Sequence, residues 1–376
     1  MSLLRLAAAL APALALIPAA CFVEVPSSRP APAAGCPEDL GDCDDDGVCE
    51  TDLETDKDHC GACGHGCLGA SCVNARCQPI QLRSGQTYPH DIAVDDSHVF
   101  WTTGGGGNGS GTVMKLNKDG SAPRTLVDDG YKPRGIDVDD AYVYWADGGN
   151  GSLHRIPKTA TGLGQDEVLV SGMAGETKGE GFVRRFGDRI FWSYEKAGTV
   201  RSVTLDGSDV TVHAAGQELP RQIALVDDMI YFTVGAPGIR RVPLVGGAVQ
   251  ILESADELSK FSFGMVAVGD TVVFRESNYG SGFDGRVTAY DPARDDFTVL
   301  VESSGARDIT ADATHLFWCS EDEQTLSRAR HDGSELTVLA TQQVDPTSVA
   351  VDDEALYWTN RALYAPAGGS VWMVAK

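Results

Sequence analysis

His90, Arg134, Arg221 and Arg307 hold the same place in a recurring pattern: each stands two residues ahead of an apolar run that opens a repeat. Gly181, Gly264 and Thr347 hold that place in the other three copies. Guanidinium groups gathered at one point bind carboxylate or phosphate through paired N–H donors. On a chain of formal net charge −24 such a cluster has two readings. It is a site for an anionic ligand, or it is neutralised by acids such as Asp91 and Asp308 and ties the structure together. A lone histidine gives little acid–base capacity. A lyase- or lactonase-type enzyme using His90 and these arginines is therefore the alternative to a non-catalytic binding site.

A second candidate chemistry lies near the N-terminus. Asp42-Cys43-Asp44-Asp45-Asp46-Gly47 contains the D-x-D-x-D-G of calcium loops, and Glu50 sits at the ninth position. The twelfth position, where an EF-hand carries a bidentate Glu, is Leu53. Calcium at Asp42, Asp44, Asp46 and Glu50 stands beside a plain solvated acidic turn. Cys36, Cys43, Cys49, Cys60, Cys63, Cys67, Cys72 and Cys77 surround this loop. An even number of cysteines in a short, apolar-poor window reads as four disulfides substituting for a core. Their pairing is left open. His59 and His65 near Cys60, Cys63 and Cys67 would suit zinc, but export favours oxidised cysteines.

Export is read from the first residues. Arg5 precedes the apolar run Leu6–Ile17, too short to span a bilayer, followed by Pro18-Ala19-Ala20-Cys21. Residues 1–20 are expected to be a signal peptide with lipoprotein-type cleavage before Cys21, which would carry the lipid. Ordinary cleavage near Ala20 is the alternative. Residues 21–35, rich in Pro and Ala, read as a tether, and 36–78 as the disulfide module. The expected location is the cell envelope, as an outer-membrane lipoprotein, or the medium. Membrane contact is expected through the lipid alone. The negative surface excludes nucleic acid as a partner.

The elements that must position the arginines come in seven copies: IAVDDSHVFWTT, IDVDDAYVYWAD, VRRFGDRIFWSY, IALVDDMIYFTV, VAVGDTVVFRES, ITADATHLFWCS and VAVDDEALYWTN. Their anchors Trp101, Trp145, Trp192, Phe232, Arg275, Trp318 and Trp358 are 40 to 47 residues apart. That period, with four short strands per copy, predicts an all-β propeller over 79–376, seven-bladed, with six or eight as alternatives. In the first copy the strands are Ile92–Val94, Val99–Thr102, Thr112–Asn117 and Arg124–Val127, with Asp-Gly turns between the later pair. The seventh copy ends one strand short. Pro79–Leu82 is expected to supply it, closing the ring and removing a free edge. The site residues then ring one mouth of the central channel. Cys319, beside Trp318, is expected to stay a buried thiol.

The quartets FWTT, YWAD, FWSY, FWCS and YWTN resemble the YWTD repeats of low-density-lipoprotein-receptor-type propellers. That likeness implies a structural role for Trp101, Trp145, Trp192, Trp318 and Trp358 in packing blade on blade. The run CETDLETDKDHCGACGHGC is similar to cysteine-rich segments of myxobacterial secreted and envelope lipoproteins, which implies location more than activity. The expected partner is a protein, or an anionic small molecule or carbohydrate.

Overall fold

The computed structural model describes residues 36–376 except 105–108, 173–180, 236–237, 253–260, 278–284, 363–364 and 366. The expected signal, Cys21 and the tether lie outside the described residues.

The described residues contain seven four-stranded antiparallel sheets, six of them with neighbours in chain order. In the first blade the strands A to D are Pro89–Val94, His98–Thr103, Gly111–Asn117 and Arg124–Gly130, each reaching a little beyond the sequence-based bounds. Strand A is innermost in every blade. Pro89–Val94 packs against its counterparts Pro133–Val138 and Pro346–Val351, which closes the circle. The seventh blade is completed as the sequence predicts. Gly369–Ala375 takes Ile80–Gln86 as its outer partner, with Met373 opposite Ile80 and Trp372 opposite Gln81.

The five tryptophan anchors are fully buried. Three donate their indole N–H to a residue 15 positions upstream: Trp101 to Gln86 Oε1 (3.0 Å), Trp318 to Ser303 Oγ (3.2 Å) and Trp358 to Gln343 Oε1 (3.1 Å). The next residue stitches blades together. Thr102 Oγ1 donates to Arg134 O (2.6 Å), Ser193 Oγ to Arg221 O (2.7 Å) and Thr359 Oγ1 to His90 O (3.4 Å). The last of these joins blade seven to blade one. In these three quartets the third letter is thus an inter-blade hydroxyl, and the aromatic before it fills the space between sheets.

Blade five breaks the pattern with Arg275 in the anchor's place. It is fully buried, 5.9 Å from the Trp318 ring, and donates to Ser303 Oγ at 3.3 Å and Ser304 O at 3.4 Å. Burial pushes its guanidinium down to about 10. A buried cation without a carboxylate in contact costs more than an apolar side chain of similar length. Arg275→Met is therefore expected to raise stability by about 1–3 kcal/mol in denaturant titrations. A loss would show that the two long hydrogen bonds outweigh desolvation.

The N-terminal module is held by Cys36–Cys49, Cys43–Cys63, Cys60–Cys72 and Cys67–Cys77. This settles the pairing that spacing left open and occupies the sulfurs that zinc would need. Its half-cystines Cys60, Cys67, Cys72 and Cys77 share an apolar cluster with Phe317, Leu356 and Trp358 of blades six and seven. His65 Nε2 meets the Lys376 carbonyl at 2.9 Å. The module therefore uses the propeller as part of its core. Cys319 is free and buried as expected, its thiol pushed up to about 12 by burial.

Candidate functional site

Strand A does not run straight at the channel mouth. In five blades its ladder slips by one residue, between Pro89 and Ile92, Pro133 and Ile136, Ser262 and Met265, Ala306 and Ile309, and Pro346 and Ser348. A bulge re-aims side chains that alternation would separate. Here it lets neighbours such as His90 and Asp91, or Arg307 and Asp308, face the same space. That space is a cavity of about 60 Å³. Its rim carries His90, Phe182, Arg221, Arg307, Thr347 and Arg361, and its floor Asp91, Gln222, Asp308 and Ser348.

Three of the four expected site residues thus converge. Arg134 does not line the cavity, and its guanidinium lies against Gly104 instead. Sequence reasoning missed Arg361, because it follows strand B of the last blade rather than preceding a strand A.

The rim arginines meet carboxylates other than Asp91 and Asp308. Arg221 Nε meets Glu195 Oε1 at 2.6 Å, Arg307 pairs with Glu321, and Arg361 Nε lies 3.5 Å from Asp345 Oδ2. The long guanidinium stems reach outward to loop carboxylates. The short side chains of Asp91 and Asp308 stay over the cleft between inner strands. There Asp91 Oδ2 accepts the Ile136 N–H (3.0 Å) and Asp308 Oδ2 the Val349 N–H (3.2 Å) of the next blade. Asp137 Oδ2 does the same for Arg185 N–H at 2.7 Å. These carboxylates clamp adjacent blades where their strands cannot pair.

The cation that serves them is Arg184, whose Nη1 lies 3.7 Å from Asp91 Oδ2. Burial alone would lower its pKa; the carboxylates of Asp91, Asp308 and Asp137 outweigh this and raise it. Burial raises Asp137 and pushes Asp308 up to about 6, against the pull of Arg184. The signal for this layer was visible: Asp137 and Arg184 stand mid-strand in IDV and VRR, where the first copy has Ala93. Toward the opposite face the channel continues as a space of about 220 Å³, walled by residues such as Val94, Val138, Met265 and Val351.

In the module, ligand atoms of Asp42, Asp44, Asp46 and Glu50 lie within 4.8 Å of one another. Asp42 accepts the Asp46 and Gly47 N–H groups at 3.0 and 2.8 Å, which folds the loop round its own carboxylate. Desolvation, then Asp44 and Asp46, raise the Glu50 carboxyl. The type and spacing read from sequence do bring these four groups together.

One arrangement mimics a hydrolase. Ser152 Oγ lies 2.7 Å from His154 Nε2, and His154 Nδ1 lies 3.4 Å from Asp166 Oδ2. The hydroxyl is buried and also bound to Asn150. Ser202 and His213 repeat the pair at 2.8 Å in the next blade. Ser152 and His154 share the strand Ser152–Pro157, whereas Ser202 and His213 join two neighbouring strands, and both serines are buried, where a nucleophile needs an open face.

Neither a protein-family model nor a curated protein matches the sequence. Solved structures do. A virginiamycin B lyase from Staphylococcus aureus is 16% identical with a TM-score of 0.61, covering 80% of this chain and 98% of that one. The WD40 β-propeller domain of Doa1 is 13% identical with a TM-score of 0.61, covering 79% of this chain and 95% of that one. An oligogalacturonate lyase in complex with manganese is 12% identical with a TM-score of 0.54, covering 79% and 93%. Enzymes and non-enzymes stand side by side among these neighbours, and at such identities the likeness shows the propeller fold alone.

Proposed function

We propose that the chain is an exported, non-catalytic binding protein whose propeller takes a small sugar acid or sugar at the channel mouth. The carrying observation is the convergence of His90, Arg221, Arg307 and Arg361 with Phe182 on one cavity. Arginine–carboxylate pairs offer donors and acceptors together, which suits hydroxyl and carboxylate groups, and an aromatic face suits a sugar ring. Four disulfides fit an oxidising compartment. Anchorage through Cys21 belongs to the same reading. Isothermal titration with glucuronate, galacturonate and glucose tests it. The Arg307→Gln/Arg361→Gln double variant is expected to weaken binding by about 10–100-fold, the worth of one or two charge-assisted hydrogen bonds. Failure of all three compounds to bind, or unchanged affinity in the variant, would sink the proposal.

The second reading is a lyase, favoured by the neighbours of that class. Among the described residues the groups suited to hold a metal all lie in the module and none at the mouth. A lyase of this chain would have to work with His90 and the channel carboxyls. Calcium in the Asp42–Glu50 loop completes the proposal for the module. Adding calcium is expected to raise the melting temperature of the wild type and not of Asp44→Asn/Asp46→Asn. Equal melting with calcium and with chelator would remove the ion from the account.

A further inference from the structure

The floor of the cavity contains a hydroxyl between two carboxylates. Ser348 Oγ lies 2.6 Å from Asp91 Oδ1 and 2.8 Å from Asp308 Oδ2. A serine hydroxyl has one proton to donate, and an ionised carboxylate can only accept. If both acids were ionised, one of these short contacts would set lone pair against lone pair in a site where all three residues are buried. The geometry is satisfied when one carboxyl donates to Ser348 Oγ while Ser348 donates to the other.

The remaining oxygen sites do not relieve this. Asp91 Oδ1 also accepts its neighbour Ile92 N–H and Oδ2 the Ile136 N–H, each at 3.0 Å. Asp308 Oδ1 accepts Ile309 N–H at 3.0 Å and Oδ2 the Val349 N–H at 3.2 Å.

The surrounding charge points the same way. Arg184 faces Asp91 and Asp308 from the third blade, and Asp137 adds a further carboxylate from the second. His90, Arg221 and Arg307 reach the cavity from blades one, four and six, with Glu195 and Glu321 pairing the two arginines. Gln222 Nε2 approaches Asp308 Oδ1 at 3.4 Å, and Cys319 Sγ lies 3.9 Å from the Asp308 carbonyl. The rim arginines Arg221 and Arg307 have carboxylate partners in Glu195 and Glu321, and Arg184 faces three carboxylates.

We propose that Asp91 and Asp308 share one proton through Ser348, and that the cavity therefore takes up a carboxylate-bearing ligand together with a proton. This rests on the ligand reading of the mouth and narrows it to acids rather than neutral sugars. An incoming carboxylate adds negative charge beside the pair and so favours its protonation; by linkage, protonation favours the ligand. The upward shift of Asp308 caused by burial agrees with this.

Two measurements on the whole mature protein test the proposal. In infrared titration, a protonated-carboxyl C=O band should persist to about pH 6, above the ordinary carboxylate range, vanish in Asp308→Asn and shift in Ser348→Ala. Absence of the band, or its survival in Asp308→Asn, overturns the shared proton. In calorimetry, glucuronate affinity should fall about tenfold per pH unit once the pair has lost its proton, with uptake of about one proton per ligand at pH 8 and little at pH 5. Asp308→Asn should flatten that slope. Binding that ignores pH overturns the coupling. Failure of glucuronate to bind at either pH overturns both the ligand reading and the uptake, while the infrared result still decides the shared proton.

Discussion

A chain lacking Ile80–Gln86 is expected to lose cooperative unfolding and to associate, while one lacking residues 22–35 should melt where the full chain does. The deleted strand supplies the outer ladder of Gly369–Ala375, the buried side chain of Leu82 and the acceptor for the Trp101 indole. Its removal leaves an unpaired strand edge carrying Val371 and Met373, a template for edge-to-edge pairing. The ladder, the core contact and the ring's closure are lost together, an effect comparable with a domain's whole stability of about 5–15 kcal/mol. Finer variants separate the contributions. Leu82→Ala should cost about 2–4 kcal/mol through a cavity. Gln86→Ala should cost about 1–3 kcal/mol by leaving a buried indole N–H unpaired. Equal melting temperatures for the two deletions would refute closure by this strand.

That strand was legible in the sequence because two independent gaps matched: a copy one strand short at one end of the chain and a spare strand at the other. The anchors were legible for a similar reason, since a tryptophan recurring in phase with Asp-Gly turns has few alternatives to a blade. The site was less so. Phase placed His90, Arg221 and Arg307 at the mouth, but phase says nothing of where a long side chain ends. Arg134, at the same phase, turns toward Gly104. Nor does phase reveal a bulge, and the bulge is what lets Asp91 and Asp308 face the cavity beside His90 and Arg307. Adjacency in sequence does not point to the loop carboxylates that Arg221, Arg307 and Arg361 meet. Glu195 and Glu321 come from loops after the second strand and Asp345 from the loop that enters the first strand of blade seven, and the paths of such loops depend on the neighbouring blade. Arg184 was overlooked because a charged residue within an apolar run reads as a degenerate repeat rather than as the axis of the ring. The cysteine pairing is a further case, since spacing limits the choice without making it and the pairs are set by how the short ladders fold against blades six and seven.

Arg184→Met should be the most destabilising single change at the channel, by about 2–4 kcal/mol at neutral pH. The full penalty for stranding buried acids is reduced here because 24% of the Arg184 side chain reaches channel water. The variant leaves Asp91, Asp137 and Asp308 facing one another without their cation. The folded-state carboxyl pKa values of Asp137, raised by burial, and of Asp308, pushed by burial up to about 6, then move further above their unfolded values. A raised carboxyl means that the folded protein keeps protons the unfolded chain has released. Stability therefore falls as pH rises from about 4 through the folded pKa, and it is recovered on acidification. The deficit of Arg184→Met relative to wild type should accordingly be largest above about pH 7 and shrink toward pH 4. Adding Asp91→Asn should restore part of it, because the double variant strands fewer charges, with a coupling of about 1–3 kcal/mol in the mutant cycle. A deficit independent of pH would mean that Arg184 acts by packing, and no deficit would mean that the blades are held by the Asp91, Asp137 and Asp308 backbone clamps alone.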